Sequence, residues 1–370
     1  MSTERFDLII IGAGVIGHSI AFRLKRLRPG MKIAVLGDSM NSQMASRAAA
    51  GMLAPFGECF VANRFFRFCR ESLEKYPAFV EEVRQVSGLP VYLSMDGSIM
   101  PASAMGEHWE ERLSFFREHK IRHEVWTRRR VQLQIPELSE SCGDVIWVQE
   151  GQVNNRQLHD ALLAASAALG VRVVPQNGMG FLWNGTRIQR VVTDSGEWDA
   201  ERFLIASGSW SQQLAAVLGI HLPLKPIKGQ MCRVRVEDAV LPFTVHGILT
   251  YIAPWREGNG FVLGSTMEDD GFNPVVEGQV IQRLIQNAAA IVPCLQDAPL
   301  IESWSGLRPA AEDRMPIMGV SARYENLYYS TGHFRNGILQ TPHQADYLAD
   351  ILLGRPQPSI PEFDPARYDL

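Results

Sequence analysis

The chain has 370 residues, 46% of them hydrophobic and 21% charged, with 36 Lys+Arg against 40 Asp+Glu and a net charge of −4. That length predicts roughly two to three domains at about 150 residues each, with ample core, and the charge balance argues against a basic surface for nucleic acid. The five cysteines, 59, 69, 142, 232 and 294, are scattered without a C-x-x-C pattern. A disulfide framework or zinc ribbon is therefore not expected, no metal site is predicted, and a reducing compartment fits. No apolar run approaches the roughly 18 residues of a spanning helix. The polar start before residue 8 lacks the basic and apolar regions of a signal peptide. These features predict a soluble, cytoplasmic protein.

Residues 6–11 (FDLIII) read as a short parallel strand buried on both faces. Gly12-x-Gly14-x-x-Gly17 follows at once, then apolar residues at helical spacing (Ile16, Ile20, Leu24, Leu27), then a second strand over 32–36. In a strand–turn–helix unit the first glycine permits a tight turn. The second lets backbone approach a pyrophosphate, and the third lets helix and strand pack closely. The helix N-terminus presents free N–H groups to phosphate. Asp38, just past the second strand, suits the ribose hydroxyls. NAD and FAD both use such a turn. The stretch from Ser46 through Arg47 and Gly51 to Met52 (SRAAAGM) is either a small-residue segment passing a flat ligand or an alanine helix in the core. In the first case Arg47 adds a cation near phosphate.

A long amphipathic helix is predicted over 65–86, and another over 158–169 before a strand at 171–174. A hairpin around 194–196 feeds a buried strand at 203–206. The last helix covers 338–353, and the proline-rich tail beyond Gly354 reads as a surface extension. Segments at about 90–140 and 223–303, richer in Trp, Arg and Pro, read as a second, mostly β domain inserted in two pieces. His119 and His123, four apart, read as an exposed helix face rather than metal ligands. Arg128 to Arg130 read as a solvated turn.

The glycine turn, SRAAAGMLAP, Pro226-Ile-Lys-Gly-Gln, Gly306-Leu-Arg-Pro and Gly332-His-Phe-Arg-Asn-Gly-Ile338 occur in that order. Together they resemble the FAD-dependent glycine oxidases of thiamine biosynthesis, within the D-amino acid oxidase and sarcosine oxidase family. The glycine-oxidising subunit of hydrogen cyanide synthase is similar too. The resemblance implies an α/β fold: a doubly wound FAD-binding domain (1–89, 141–222 and 304–370) with an inserted mixed β-sheet, α+β substrate domain (90–140 and 223–303). It implies noncovalent FAD, because no cysteine lies near Gly306. It also implies flavin contacts at 206–210, ending in Trp210, a backbone contact at Val153, and Gly332, Arg335, Asn336, Gly337 and Ile338 beside the flavin ring.

The implied reaction is oxidation of glycine or another small amino acid or secondary amine by hydride transfer to flavin. The imine formed then hydrolyses, and O2 is reduced to H2O2. A dehydrogenase subunit passing electrons to a partner or quinone is the alternative. Neither needs an acid–base side chain, since the neutral amine assists hydride loss and the cofactor does the difficult chemistry. A cation for the substrate carboxylate is needed. The resemblance gives that role to Arg308, whose fork matches a carboxylate, against the alternative of pairing a structural acid. It places Arg335 near the flavin, Tyr251 above it and Met267 on the pocket wall. A loop arginine bonding carbonyls, a strand aromatic and a core methionine are the respective alternatives. Trp304 either lids the site or packs. Leu249 stands where glycine oxidases can carry histidine, which predicts a more apolar pocket there. The resemblance allows a homo-oligomer.

Overall fold

The computed structural model describes residues 5–58, 61–237 and 241–370, so Cys59 lies outside them. Leu8, Ile9 and Ile10 are fully buried, as a strand covered on both faces requires. Their side chains alternate between two cores. Leu8 and Ile10 join Ile20, Leu24 and Leu348, while Ile9 and Ile11 join Phe203 and Leu214. The strand Arg5–Ile11 pairs in parallel with Ile33–Leu36 and with Gly196–Ile205. Arg172–Val174 extends the sheet on one side, and Leu327–Thr331 followed by the antiparallel Ile317–Val320 extends it on the other. A hairpin, Gly178–Asn184 with Arg187–Thr193, pairs with the start of Gly196–Ile205. The helices Val15–Leu27, Arg64–Ser87, Asn155–Ala168 and Gly337–Leu352 pack on one another over this sheet.

A second sheet is ordered Leu300–Ala311, Leu224–Arg235, Gly260–Gly264, Tyr251–Trp255, Thr244–His246, Ser98–Pro101, Val145–Val148 and His123–Trp126. Its two long strands pair antiparallel almost throughout, with Ile227 opposite Arg308 and Gly229 opposite Gly306. They bridge the cores, since Leu224 and Ala311 belong to the first sheet's core and Cys232 and Val234 to the second's. A small third sheet joins Met52–Leu53, Gly151–Val153 and Leu93–Ser94.

Several expectations change. Val145–Val148, and Leu300–Ala311 beyond residue 304, pair in the second sheet rather than the first. His119 and His123 do not share a helix: Trp109–Glu118 ends before them and His123 opens a strand. Arg128 to Arg130 form the exposed first turn of the helix Arg128–Gln134, capped by Thr127. The tail packs down. Phe363 is fully buried, edge-on to Phe65 and Phe68, and Leu370 joins the first sheet's core. Four prolines in the tail hid these two apolar anchors.

A Cβ at Gly17 would lie 2.0 Å from the Gly12 carbonyl oxygen, whereas one at Gly30 meets nothing within 4 Å. Gly17→Ala is therefore predicted to destabilise by about 1–3 kcal/mol, the usual cost of overpacking. Gly30→Ala leaves the melting temperature unchanged. Thermal melts of both variants check the pair.

Candidate active site

The first strand ends in a turn that only glycine can make. Gly12 has φ of 130°, and a Cβ there would lie 2.2 Å from the Ala206 oxygen. Gly14 precedes the helix Val15–Leu27 and has no side chain to cap it, so the cap comes from elsewhere: Ser46 Oγ accepts the Val15 N–H at 3.1 Å. A Cβ at Gly14 would crowd that hydroxyl at 2.9 Å. Gly17 sits behind, closing helix onto strand.

A cavity of about 500 Å³ opens in front of this turn. Gly12, Gly14 and Asp38 line it, and Asp38 Oδ1 accepts the Met40 N–H at 2.9 Å. A second wall is the short helix Ala45–Ala48 and the stretch through Gly51 and Met52. Gly51 is required where it stands, because its φ is 78° and a Cβ would lie 1.8 Å from the Val153 oxygen. A third wall is 206–210, where Thr331 Oγ1 donates to the Gly208 carbonyl and Trp210 faces the cavity. The fourth is the entry to the last helix: Arg335, Asn336, Gly337 and Ile338 line it, while Gly332, with φ of 74°, turns the chain behind them. Beside them His333 is buried, which pushes its imidazole down to about 3.

Arg308 reaches the same cavity from the strand Leu300–Ala311. Its guanidinium lies flat over Gly229, where a Cβ would be 2.3 Å from Nη1. Nη2 donates to Ser265 Oγ at 2.6 Å and Nη1 to the Thr266 carbonyl at 3.1 Å, which fixes the plane of the fork. Tyr251 lines the cavity nearby, its hydroxyl resting over Gly264.

Five residues singled out from sequence stand elsewhere: Arg47, Val153, Met267, Leu249 and Trp304. Arg47 points away from the cavity, with Nη1 2.5 Å from Asp160 Oδ1 and 3.2 Å from His159 Nδ1. It brings no cation to the phosphate side. Val153 donates its N–H to the Gly51 carbonyl at 2.9 Å and holds the second wall from behind. Met267 is 57% exposed and outside the cavity, because Glu268 and Asp270 turn in toward the buried Lys228 amine at 3.4 and 3.5 Å. Leu249 is exposed at the tip of a turn closed by Gly247 N–H and the Thr250 carbonyl, so it does not shape the pocket. Trp304 packs: its Nε1 donates to the Ala48 carbonyl at 2.9 Å.

Sequence reasoning gave no role to Gly229, quoted only within a motif, or to Ser265; both seat Arg308. A glycine inside a strand was the available signal for the first. It also missed the buried Glu150, whose Oε1 accepts the Phe56 and Gly57 amides at 2.7 Å each, fixing the chain beyond the second wall. Among the described residues no group of three or more His, Cys, Asp or Glu side chains could hold a metal ion, and no helix is long and apolar enough to cross a membrane.

A family profile described as FAD dependent oxidoreductase matches residues 7–351. The bifunctional protein ThiO/ThiG of Trichormus variabilis is 35% identical over 98% of this chain and 55% of its own length. The chain thus spans about half the length of the bifunctional relatives it matches. Hydrogen cyanide synthase subunit HcnC of Pseudomonas aeruginosa is 31% identical over 90% of this chain and 89% of that one. A crystal structure of glycine oxidase from Geobacillus kaustophilus is 30% identical and superposes with a TM-score of 0.91 over 100% of this chain and 99% of that one. A glycine turn backed by a parallel sheet, joined in one cavity to a second sheet's arginine, is thus found in a chain that belongs to the family of FAD-dependent oxidoreductases.

Proposed function

We propose that this protein oxidises glycine or another small amino acid or secondary amine to an imine, which hydrolyses, and that O2 takes the electrons to give H2O2. The observation that carries this reading is Arg308, a guanidinium fixed in plane in the cavity that begins at the glycine turn. The cavity fits the family's cofactor. Gly12, Gly14 and Gly51 present bare backbone on its walls where a Cβ would clash with neighbouring atoms, and the N-terminal end of the helix Val15–Leu27 suits a pyrophosphate. Gly12, Gly14, Asp38, Ser46, Met52, Trp210 and residues 335–338 would hold it. When bound, FAD accepts the hydrogen and electron pair lost from the substrate carbon.

The chain's own residues bind and orient. Arg308 pairs the substrate carboxylate through two parallel N–H groups, which a point charge cannot reproduce. Tyr251 donates its hydroxyl to the same carboxylate, and Arg335 adds a second cation on the facing wall. His333, the one histidine among the described lining residues, stays neutral well below pH 6 because burial holds it near 3. It does not titrate in the range where substrate amines do.

A second reading keeps the fold and changes the acceptor, a partner or quinone in place of O2. The similarity to HcnC supports it. Cys142, Cys232 and Cys294, which form no disulfide, support a cytoplasmic site of action.

Three outcomes are expected. The purified protein is yellow and releases FAD on acid precipitation, because none of the four described cysteines lines the cavity; flavin that stays with the pellet contradicts noncovalent binding. A panel of small amino acids includes one that bleaches the flavin under nitrogen. Rapid reoxidation in air with peroxide release supports the oxidase, slow reoxidation favours the second reading, and no bleaching by any amine sinks both. For the best substrate, kcat/KM rises with pH from 7 to 9 as its amine loses a proton; a steady fall contradicts the mechanism.

A further inference from the structure

His159 lies on the helix Asn155–Ala168, fully buried, and does not line the cavity. Its Nε2 is 2.8 Å from the Ala13 carbonyl oxygen, in the middle of the glycine turn. Its Nδ1 is 3.2 Å from Arg47 Nη1, which also meets Asp160 Oδ1. A guanidinium only donates, so Nδ1 must accept and the ring proton must sit on Nε2, donated to Ala13. Burial is the largest influence and favours the neutral ring, as does Arg47; the hydrogen bond to Ala13 and the weaker pull of Asp160 oppose them without reversing the balance. The neighbouring ring of His18, 5.9 Å away between centroids, is itself held near 3 by burial.

The same helix grips the opposite wall. Asn155 Nδ2 donates to the Ser46 carbonyl at 2.7 Å and Arg156 Nε to the Arg47 carbonyl at 3.3 Å. Ser46 in turn caps Val15. One helix therefore sets the spacing between the glycine turn and the 45–51 wall. The Ala13 carbonyl and the Gly14 N–H belong to one trans peptide plane and point opposite ways. A carbonyl tied back to His159 turns the Gly14 N–H away from that helix, to the side on which Gly14 lines the cavity.

We propose that His159 is a positioning residue for cofactor binding: with its tautomer fixed by Arg47, it holds the Ala13 carbonyl so that the Gly14 amide faces the cofactor's phosphates. This rests on FAD as the family's cofactor and is independent of the substrate proposed above. Arg47, expected from sequence to touch the phosphate, acts instead through the ring behind it.

The test is the rate at which FAD leaves the holoprotein on dilution, followed by flavin fluorescence, alongside a thermal melt of each apoprotein. His159→Leu strands the Ala13 carbonyl and is expected to release FAD about tenfold faster, as loss of a buried hydrogen-bond donor implies. His159→Gln, whose amide N–H has similar reach, is expected to stay within about threefold of wild type. Release from His159→Leu at the wild-type rate overturns the proposal. Equal loosening in Leu and Gln also overturns it, because packing alone would then explain the effect. Should His159→Leu fail to fold, Arg47→Met reads the same link. It leaves the ring in place but frees its tautomer, so release at least about threefold faster is expected, and an unchanged rate overturns the assignment. A wild-type protein that carries no FAD would instead count against the cofactor itself.

Discussion

Backbone segments, some of them a hundred or more residues apart, approach here to distances that exclude even a methyl group, and the cavity depends on that. A Cβ would lie 2.2 Å from the Ala206 oxygen at Gly12, 2.0 Å from the Gly12 oxygen at Gly17 and 1.8 Å from the Val153 oxygen at Gly51. Each missing side chain lets one wall close on the next. Much of the surface offered to a cofactor is therefore main chain, whose amides recognise phosphate by direction rather than by net charge. A chain of net charge −4 therefore needs no bulk positive charge to receive a pyrophosphate at the glycine turn.

The second constraint is the strand pair Leu224–Arg235 and Leu300–Ala311, which runs from one core into the other. Gly229 and Gly306 face each other in register on it. Gly229 leaves room for the Arg308 guanidinium, and Gly306 for the Ala48 methyl, which a Cβ would meet at 2.2 Å. A pair of opposed glycines thus seats the Arg308 guanidinium and lets the 45–51 wall pack against the same strands. The glycine-lined cavity and the Arg308 guanidinium are held at a fixed separation because one ribbon contacts both. His159 adds a third tie, between the glycine turn and that wall.

Features written locally in the sequence were legible. The glycine turn, the strand before it and the helix after it follow from spacing within some thirty residues, roughly the size of a single βαβ unit. The helix Arg64–Ser87 follows from its apolar stripe. Arg308, Tyr251 and the 335–338 entry were reached through motif resemblance, and the structure brings them to one cavity. What failed depends on partners far along the chain. Arg47 is turned away by Asp160 and His159, on a helix more than a hundred residues later. Met267 is left outside by a buried lysine. Phe363 is drawn in by two phenylalanines near the start of the chain. No window of sequence contains those contacts.

The central claim is that Arg308 holds a substrate carboxylate and so aims the reacting carbon. The most direct measurement compares kcat/KM for the best amino acid and for its decarboxylated amine, in wild type and in Arg308→Ala, with FAD content checked in both. A charge-assisted hydrogen bond of about 1.5–3 kcal/mol predicts a loss of roughly ten- to more than a hundredfold for the amino acid. Lys at 308 recovers only part of it. The decarboxylated amine, poor with wild type, loses little more. Equal losses for both substrates in a variant that retains its flavin would make Arg308 a structural residue and contradict the account.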